Sequence, residues 1–151
     1  MENYKFIYVY DALCGWCYGF SPVVMALHEK YNQQFDFEVI SGGMVTGSRV
    51  GPIGVVAPYI KKAYRTVEET TGIKFGEGFL RNIDEGEMIM NSEKPAVALA
   101  VFRTYYPDKA VMFAHELQNA INFDGADPNT NEMYRYIAVN HVLIPMMYNI
   151  S

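Results

Sequence analysis

Long apolar runs are missing from this chain. The longest, PAVALAVF at 95–102, is closed by Arg103 and falls far short of the ~20 residues that span a bilayer. Membrane insertion is therefore not expected. Clustered basic residues are also missing. Twelve Lys and Arg stand against seventeen Asp and Glu, a net charge of -5, and the cations come only in short pairs such as Lys61-Lys62. Phosphate contacts draw on clustered Lys and Arg, so a nucleic-acid partner is excluded as an expectation. The opening MENYKFIYVYDALCGWC lacks the basic region and small-residue cleavage site of a secretory signal, and the reading is a cytoplasmic protein. Cysteine is scarce, with two residues in 151, and tryptophan occurs once. In a reducing compartment so few thiols argue against structural staples, and for catalytic, redox-sensing or metal-binding use.

Apolar and aromatic residues are plentiful. Half of the chain is hydrophobic and 15% aromatic, with 12 Tyr, 9 Phe and 9 Met, enough burial to offset chain entropy and rule out global disorder. The length suits one domain, or one domain carrying an insertion. There is no internal repeat and no low-complexity tract.

The scarce residues are gathered together. Both cysteines and the tryptophan fall in DALCGWCYGFSP at 11–22, as Cys14, Trp16 and Cys17. Before them, YKFIYVY at 4–10 is continuous, aromatic and β-branched, as in a central strand covered on both faces. After them, Phe20, Val23, Val24, Leu27 and Tyr31 recur at helical spacing, and Ser21-Pro22 could bend that helix. FDFEVISGG then alternates Phe35, Phe37 and Val39 with Asp36 and Glu38 and ends at Gly42-Gly43, which predicts a second strand. Strand, helix and strand compose a right-handed βαβ unit.

Residues 44–58, rich in Gly and Pro, read as a loop, and the periodicity beyond is helical. Ile60, Ala63, Tyr64 and Val67 mark one helix face; Ala96 to Phe102, with Pro95 in the first turn, another; Ala110, Phe113, Ala114, Leu117 and Ile121 a third. Tyr106-Pro107 separates the last two. A final helix is expected from about 130 to 142. The expected division is a βαβ unit over 1–45, a helical insertion over 46–142 and a short tail over 143–151.

A thiol at the start of a helix faces unpaired N–H groups and the positive end of the macrodipole. Cys14 is thus expected to be a thiolate near neutral pH, able to attack a disulfide. Cys17, almost one turn further on the inner side, can resolve the resulting mixed disulfide. Gly15 permits close backbone approach and Trp16 offers an apolar surface, so Gly15, Trp16 and Tyr18 are candidate substrate-binding residues. Core packing is the simpler reading of Tyr18 and Phe20. Asp11 is read as a cap of the strand end or helix start, with proton shuttling as the alternative. Two thiols are half of a zinc site, and His28, His115 and His141 stand at no ligand spacing from them; no metal or cofactor is expected. Burial of the cysteines as small apolar residues also remains open.

YVYDALCGWCYGFSPVV followed by FEVISGGM resembles the DsbA-family thioredoxin-like oxidoreductases, in particular their signal-less, FrnE-like branch. NSEKPAVALAVFR is similar to that family's helix opening of Ser or Thr, Glu, Pro and small residues. The resemblance covers about residues 4–140. It implies an α/β fold, a thioredoxin-like βαβ unit interrupted by an inserted helical domain, with Cys14 as nucleophile and Cys17 as resolving thiol. It also implies a protein or small-molecule disulfide as substrate, with glutathione a possible co-substrate.

The family's chain continues after the insert with a proline-preceded strand, a further strand and a helix, for which this sequence has no room. The one late candidate for the family's cis-proline loop is Ile144-Pro145. An open sheet edge of this kind would invite pairing with another chain. Two other readings stand beside the enzyme. One is a non-catalytic redox-sensing or interaction module. The other is a glutathione-dependent kappa-type transferase or isomerase, a class that usually has Ser at the position of Cys14 and no second thiol.

Overall fold

The structure, a computed structural model, describes residues 4–143, with side-chain surroundings through residue 140. Ile144-Pro145 and the tail lie outside the described residues. Strand β1 (Lys5–Tyr10), helix α1 (Gly15–Tyr31) and strand β2 (Asp36–Ser41) form the βαβ unit. The strands pair in parallel, from Lys5 opposite Asp36 to Tyr10 opposite Ser41. Phe6 stacks on Phe37 at 4.9 Å between ring centroids, and His28 of α1 meets the same Phe37 edge-on at 4.9 Å, so α1 closes the face carrying Phe6.

Two expectations are corrected here. The apolar run of β1 suggests burial on both faces, yet Ile7 and Val9, which alternate with Tyr8 and Tyr10, are 58% and 60% exposed. Among the described residues β1 pairs only with β2. Continuous hydrophobicity records what a strand can bury, not how many neighbours it has. In α1, which passes through Pro22 unbroken, Phe20 and Val23 face outward. The inward line is Tyr18, Ser21 and Val24, with Gly19. A Cβ on Gly19 would stand 2.8 Å from Thr71 and 2.9 Å from Val67, so this glycine sets how closely the next helix approaches α1.

That helix is α2 (Ala57–Thr71), followed by α3 (Glu77–Glu85), α4 (Glu93–Tyr105), α5 (Ala110–Asn119) and α6 (Asn131–Tyr136). The expected faces are present: Val67 in α2, Leu99 and Phe102 in α4, and Phe113, Ala114 and Leu117 in α5 are buried. Phe102 and Phe113 stack almost parallel at 4.2 Å. α5 packs against both α1 and β2 and supplies the centre of one continuous core.

The 44–58 loop is not wholly irregular. Gly51-Pro52 (β3) pairs antiparallel with Ile89-Met90 (β4), and the Ile53 and Gly54 N–H groups donate to the Met88 and Gly86 carbonyls at 2.8 and 3.0 Å. A two-residue ladder leaves no period to read. The ends of α5 and α6 run on into π-helical turns at Ala120–Asp124 and Ile137–Leu143. The first is gripped by the GEG tripeptide at 76–78. A Cβ on Gly76 would collide with the Phe123 carbonyl oxygen at 1.8 Å, and one on Gly78 with that of Asp124 at 2.2 Å, so only glycine admits this backbone-to-backbone contact.

Candidate active site

The site begins where β1 ends. Asp11, buried, accepts from the Leu13 N–H at 2.9 Å and the Ser92 hydroxyl at 3.0 Å through Oδ1, and from the Met44 N–H at 2.8 Å through Oδ2. Ser92 Oγ in turn accepts from the Val45 N–H at 3.0 Å. One carboxylate thus ties the strand end to the loop after β2 and to the start of α4. Of the two sequence readings of Asp11, the anchoring one describes this geometry. Ser92, noticed only as part of a helix opening, is its partner 81 residues away.

Held by this knot, the chain turns into α1 with Cys14 as the N-cap. Cys14 has extended backbone geometry, φ -83° and ψ 118°, and its Sγ accepts from the Cys17 N–H at 3.4 Å, the bond by which a capping side chain satisfies an orphan donor of the first turn. Its thiol is drawn down to about 6, chiefly by the hydrogen bond from the Cys17 thiol and then by the backbone N–H groups of Cys17 and Trp16; burial and the Asp11 carboxylate oppose this. Cys17 is pushed strongly upward, because its thiol hydrogen is committed to Cys14 and because it is partly buried beside Asp11. The surroundings thus favour charge on Cys14 and a retained proton on Cys17, and both side chains are half-buried.

In front of Cys14 opens an apolar cleft of about 270 Å³. Leu13, Cys14, Gly15 and Trp16 form one wall, Met44, Val45 and Met90 a second, and α2 with Phe75 and Phe79 a third. Apart from Cys14 itself no charged side chain lines it, and Asn122 is its one amide. A larger hollow of about 740 Å³ lies along α4 and α6 and contains no thiol.

The expected substrate-facing residues divide. Gly15 lies against the Phe75 ring, which a Cβ would meet at 3.3 Å, and Trp16 is half-exposed on the rim. Tyr18 is 2% exposed, donates its hydroxyl to the Lys74 carbonyl at 2.6 Å and meets Phe75 edge-on. It supports the cleft from beneath and does not line it, because residue 18 lies one helical turn past the N-cap on the inward face. Asn122 was not foreseen. Its Nδ2 donates to the Gln118 carbonyl at 2.9 Å and to the Ala12 carbonyl at 3.4 Å, and it sits on the π-helical turn, which no local pattern announces. Among the described residues no group of three His, Cys, Asp or Glu is placed to hold a metal ion, and no helix is long and apolar enough to cross a membrane.

Sequence comparison finds no matching family profile and no matching curated protein. Comparison of folds does find similar structures. The cytosolic disulfide reductase DsbM from Pseudomonas aeruginosa aligns over 91% of this chain at 22% identity with a TM-score of 0.79, and a second structure of it, with GSH, at 0.78. A candidate protein disulfide isomerase from Nitrosomonas europaea aligns over 93% at 21% identity with a TM-score of 0.75. The chain spans 64–65% of the length of these structures. Its fold is thus the helix-rich, thioredoxin-like, DsbA-type fold of these structures.

Proposed function

We propose that this protein is a thiol-disulfide oxidoreductase acting through Cys14 and Cys17. The carrying observation is the hydrogen bond from the Cys17 N–H to Cys14 Sγ at the start of α1, which holds one sulfur as a thiolate beside a second that stays protonated. The Cys14 thiolate attacks a substrate disulfide and one substrate sulfur leaves as a thiol. Cys17 then attacks Cys14, the Cys14–Cys17 disulfide forms and the second substrate thiol is released. Substrate is reduced by two electrons and the dithiol oxidised by two.

The cleft supports a substrate whose disulfide is flanked by apolar side chains, as in an unfolded protein segment, because it offers burial and no charge to a polar one. Cys14 at about 6 is nearer the ~7 of thioredoxin than the ~3.5 of DsbA. The reduced form is thus only moderately stabilised, which favours the reducing direction. Glutathione, which accompanies the Pseudomonas protein in one structure, is the small thiol proposed to regenerate the dithiol, in the cytoplasm.

The test is Cys17→Ser. An exchange enzyme accumulates mixed disulfides through Cys14 that dithiothreitol releases. A variant that captures neither a model peptide disulfide nor glutathione disulfide leaves the redox-sensing module as the better reading.

A further inference from the structure

The exchange scheme leaves unused the one buried polar side chain of the cleft. Asn122 is 1% exposed and lines the cleft together with Cys14. Its two amide hydrogens are both committed, since Nδ2 donates to the Gln118 carbonyl at 2.9 Å and to the Ala12 carbonyl at 3.4 Å. Carbonyl oxygens only accept, so the nitrogen must face them and the side-chain oxygen must turn elsewhere. Among the described residues no group donates to Oδ1, and it is not one of the sealed, unpartnered oxygens of the core. The free acceptor therefore opens on the cleft that Asn122 lines.

Its position is fixed from two sides. The Ala12 carbonyl stands two residues before Cys14, so the Asn122–Ala12 bond sets the amide against the segment that carries the attacking sulfur. The Asn122 backbone carbonyl accepts from the Gly76 N–H at 3.1 Å, beside the glycine contact that admits no side chain. Tyr59 and Tyr64 of α2 bring hydroxyls to the same cleft. Tyr59 is 72% exposed, and Tyr64 Oη accepts from Arg65 Nε at 3.5 Å. A hydroxyl rotates and can donate or accept, whereas an amide oxygen held in this way only accepts. It discriminates against any ligand that brings no donor, because the buried acceptor is then left unpaired. A charged ammonium would find no carboxylate in the cleft. A neutral N–H is the donor that fits, and a peptide carries one a few bonds from its disulfide.

We propose that Asn122 is a specificity-determining residue whose Oδ1 accepts a hydrogen bond from the backbone N–H of the substrate half-cystine, so that the cleft selects disulfides borne on an amide chain. The proposal rests on the exchange reading above. The step it serves is the first one: Cys14 Sγ bonds to the near substrate sulfur and the substrate S–S bond breaks. The electron pair leaves on the far sulfur, which takes up a proton.

The experiment compares three disulfides by the rate of thiol release from the reduced protein. One is an apolar peptide disulfide. The second is its twin with the half-cystine N–H replaced by an ester oxygen. The third is bis(2-hydroxyethyl) disulfide, which has no amide and reports any general loss of reactivity. In the unaltered protein the peptide is expected to react about tenfold faster than its ester twin. In Asn122→Leu, of similar size and without the acceptor, that ratio is expected to fall to about one; Asn122→Ala, which removes the acceptor without crowding, is expected to do the same. Equal rates for peptide and ester in the unaltered protein overturn the proposal. So does a ratio that survives in both variants, or a uniform loss on all three disulfides with the ratio intact, the mark of a structural role. If Cys17→Ser captures no disulfide, the exchange reading fails and this one with it; if capture succeeds while the ester twin reacts as fast as the peptide, only the role of Asn122 fails.

Discussion

The two sides of the α1 N-terminus differ in kind. In front, Cys14 faces an apolar cleft that no other charged side chain lines; behind, Cys17 packs against the buried core, within electrostatic reach of Tyr8 and Tyr10. The helix start stabilises charge on one sulfur only, since the Cys17 N–H points at Cys14 and Cys17 lies inside the first turn. The other sulfur keeps its proton first because that proton is hydrogen-bonded to Cys14, and then because burial and the nearby Cys14 and Asp11 charges disfavour a second charge. A difference of three positions thus separates an attacking group from a resolving one.

The strongest test of this asymmetry removes each sulfur in turn. Cys14→Ser is expected to abolish disulfide exchange, and Cys17→Ser to allow one attack without turnover, read as released thiol per protein; equal residual turnover in both would break the comparison.

Next in size is the knot that serves both sides. Asp11→Ala leaves the Leu13 and Met44 N–H groups and the Ser92 hydroxyl without their acceptor, a cost of about 3 kcal/mol readable by chemical denaturation. Asp11→Asn keeps the size, turns one accepting oxygen into an amide donor and so loses at least one of these bonds, and removes the charge that opposes ionisation of both thiols, so both alkylation profiles are expected to move to lower pH. Unmoved profiles would show that the Asp11 charge has no hold on either sulfur.

The pH dependence of Cys14 follows. Its reaction with iodoacetamide is expected to reach half its plateau near pH 6 while Cys17 remains slow. For stability the signs oppose. The lowered Cys14 favours the fold as pH rises from about 6 through the ordinary thiol range, and that share is lost as pH falls through about 6. The raised Cys17 favours the fold below the ordinary thiol range, and its share is lost at high pH. The disulfide form is expected to lack both slopes.

The cleft wall comes next: Phe75→Ala, which empties the cleft beside Gly15 and Tyr18, is expected to cost about 3 kcal/mol and to weaken apolar peptide substrates more than glutathione disulfide. A uniform loss for both would mean that the cleft is structural. The smallest effect is expected on the open face of β1, where Ile7→Thr at a 58% exposed position changes stability by about 0.5 kcal/mol or less.

How much of this was legible varies with distance along the chain. The helix faces of α2, α4 and α5 were readable because each repeats within three or four positions, and the placement of Cys14 and Cys17 at a strand-to-helix junction came from segments directly beside them. Tyr18 had two readings, and its 2% exposure agrees with core packing, the simpler one: being near the motif in sequence is not facing the cleft, since inward and outward positions alternate within a single turn. β1 misled because an apolar strand does not count its neighbours.

What the sequence by itself determined is the dithiol, its place at the head of a helix, and the helices α2, α4, α5 and α6, set by local period, propensity and end signals; α3 (Glu77–Glu85) was not read from it. What only the tertiary structure decided is the surroundings that distinguish the two sulfurs. The Asp11–Ser92 bond spans 81 residues and the Asn122–Ala12 bond 110, and Gln118 meets Tyr8 from the other end of the chain. Such contacts depend on how elements pack, and a local pattern carries no information about which distant polar group will face which.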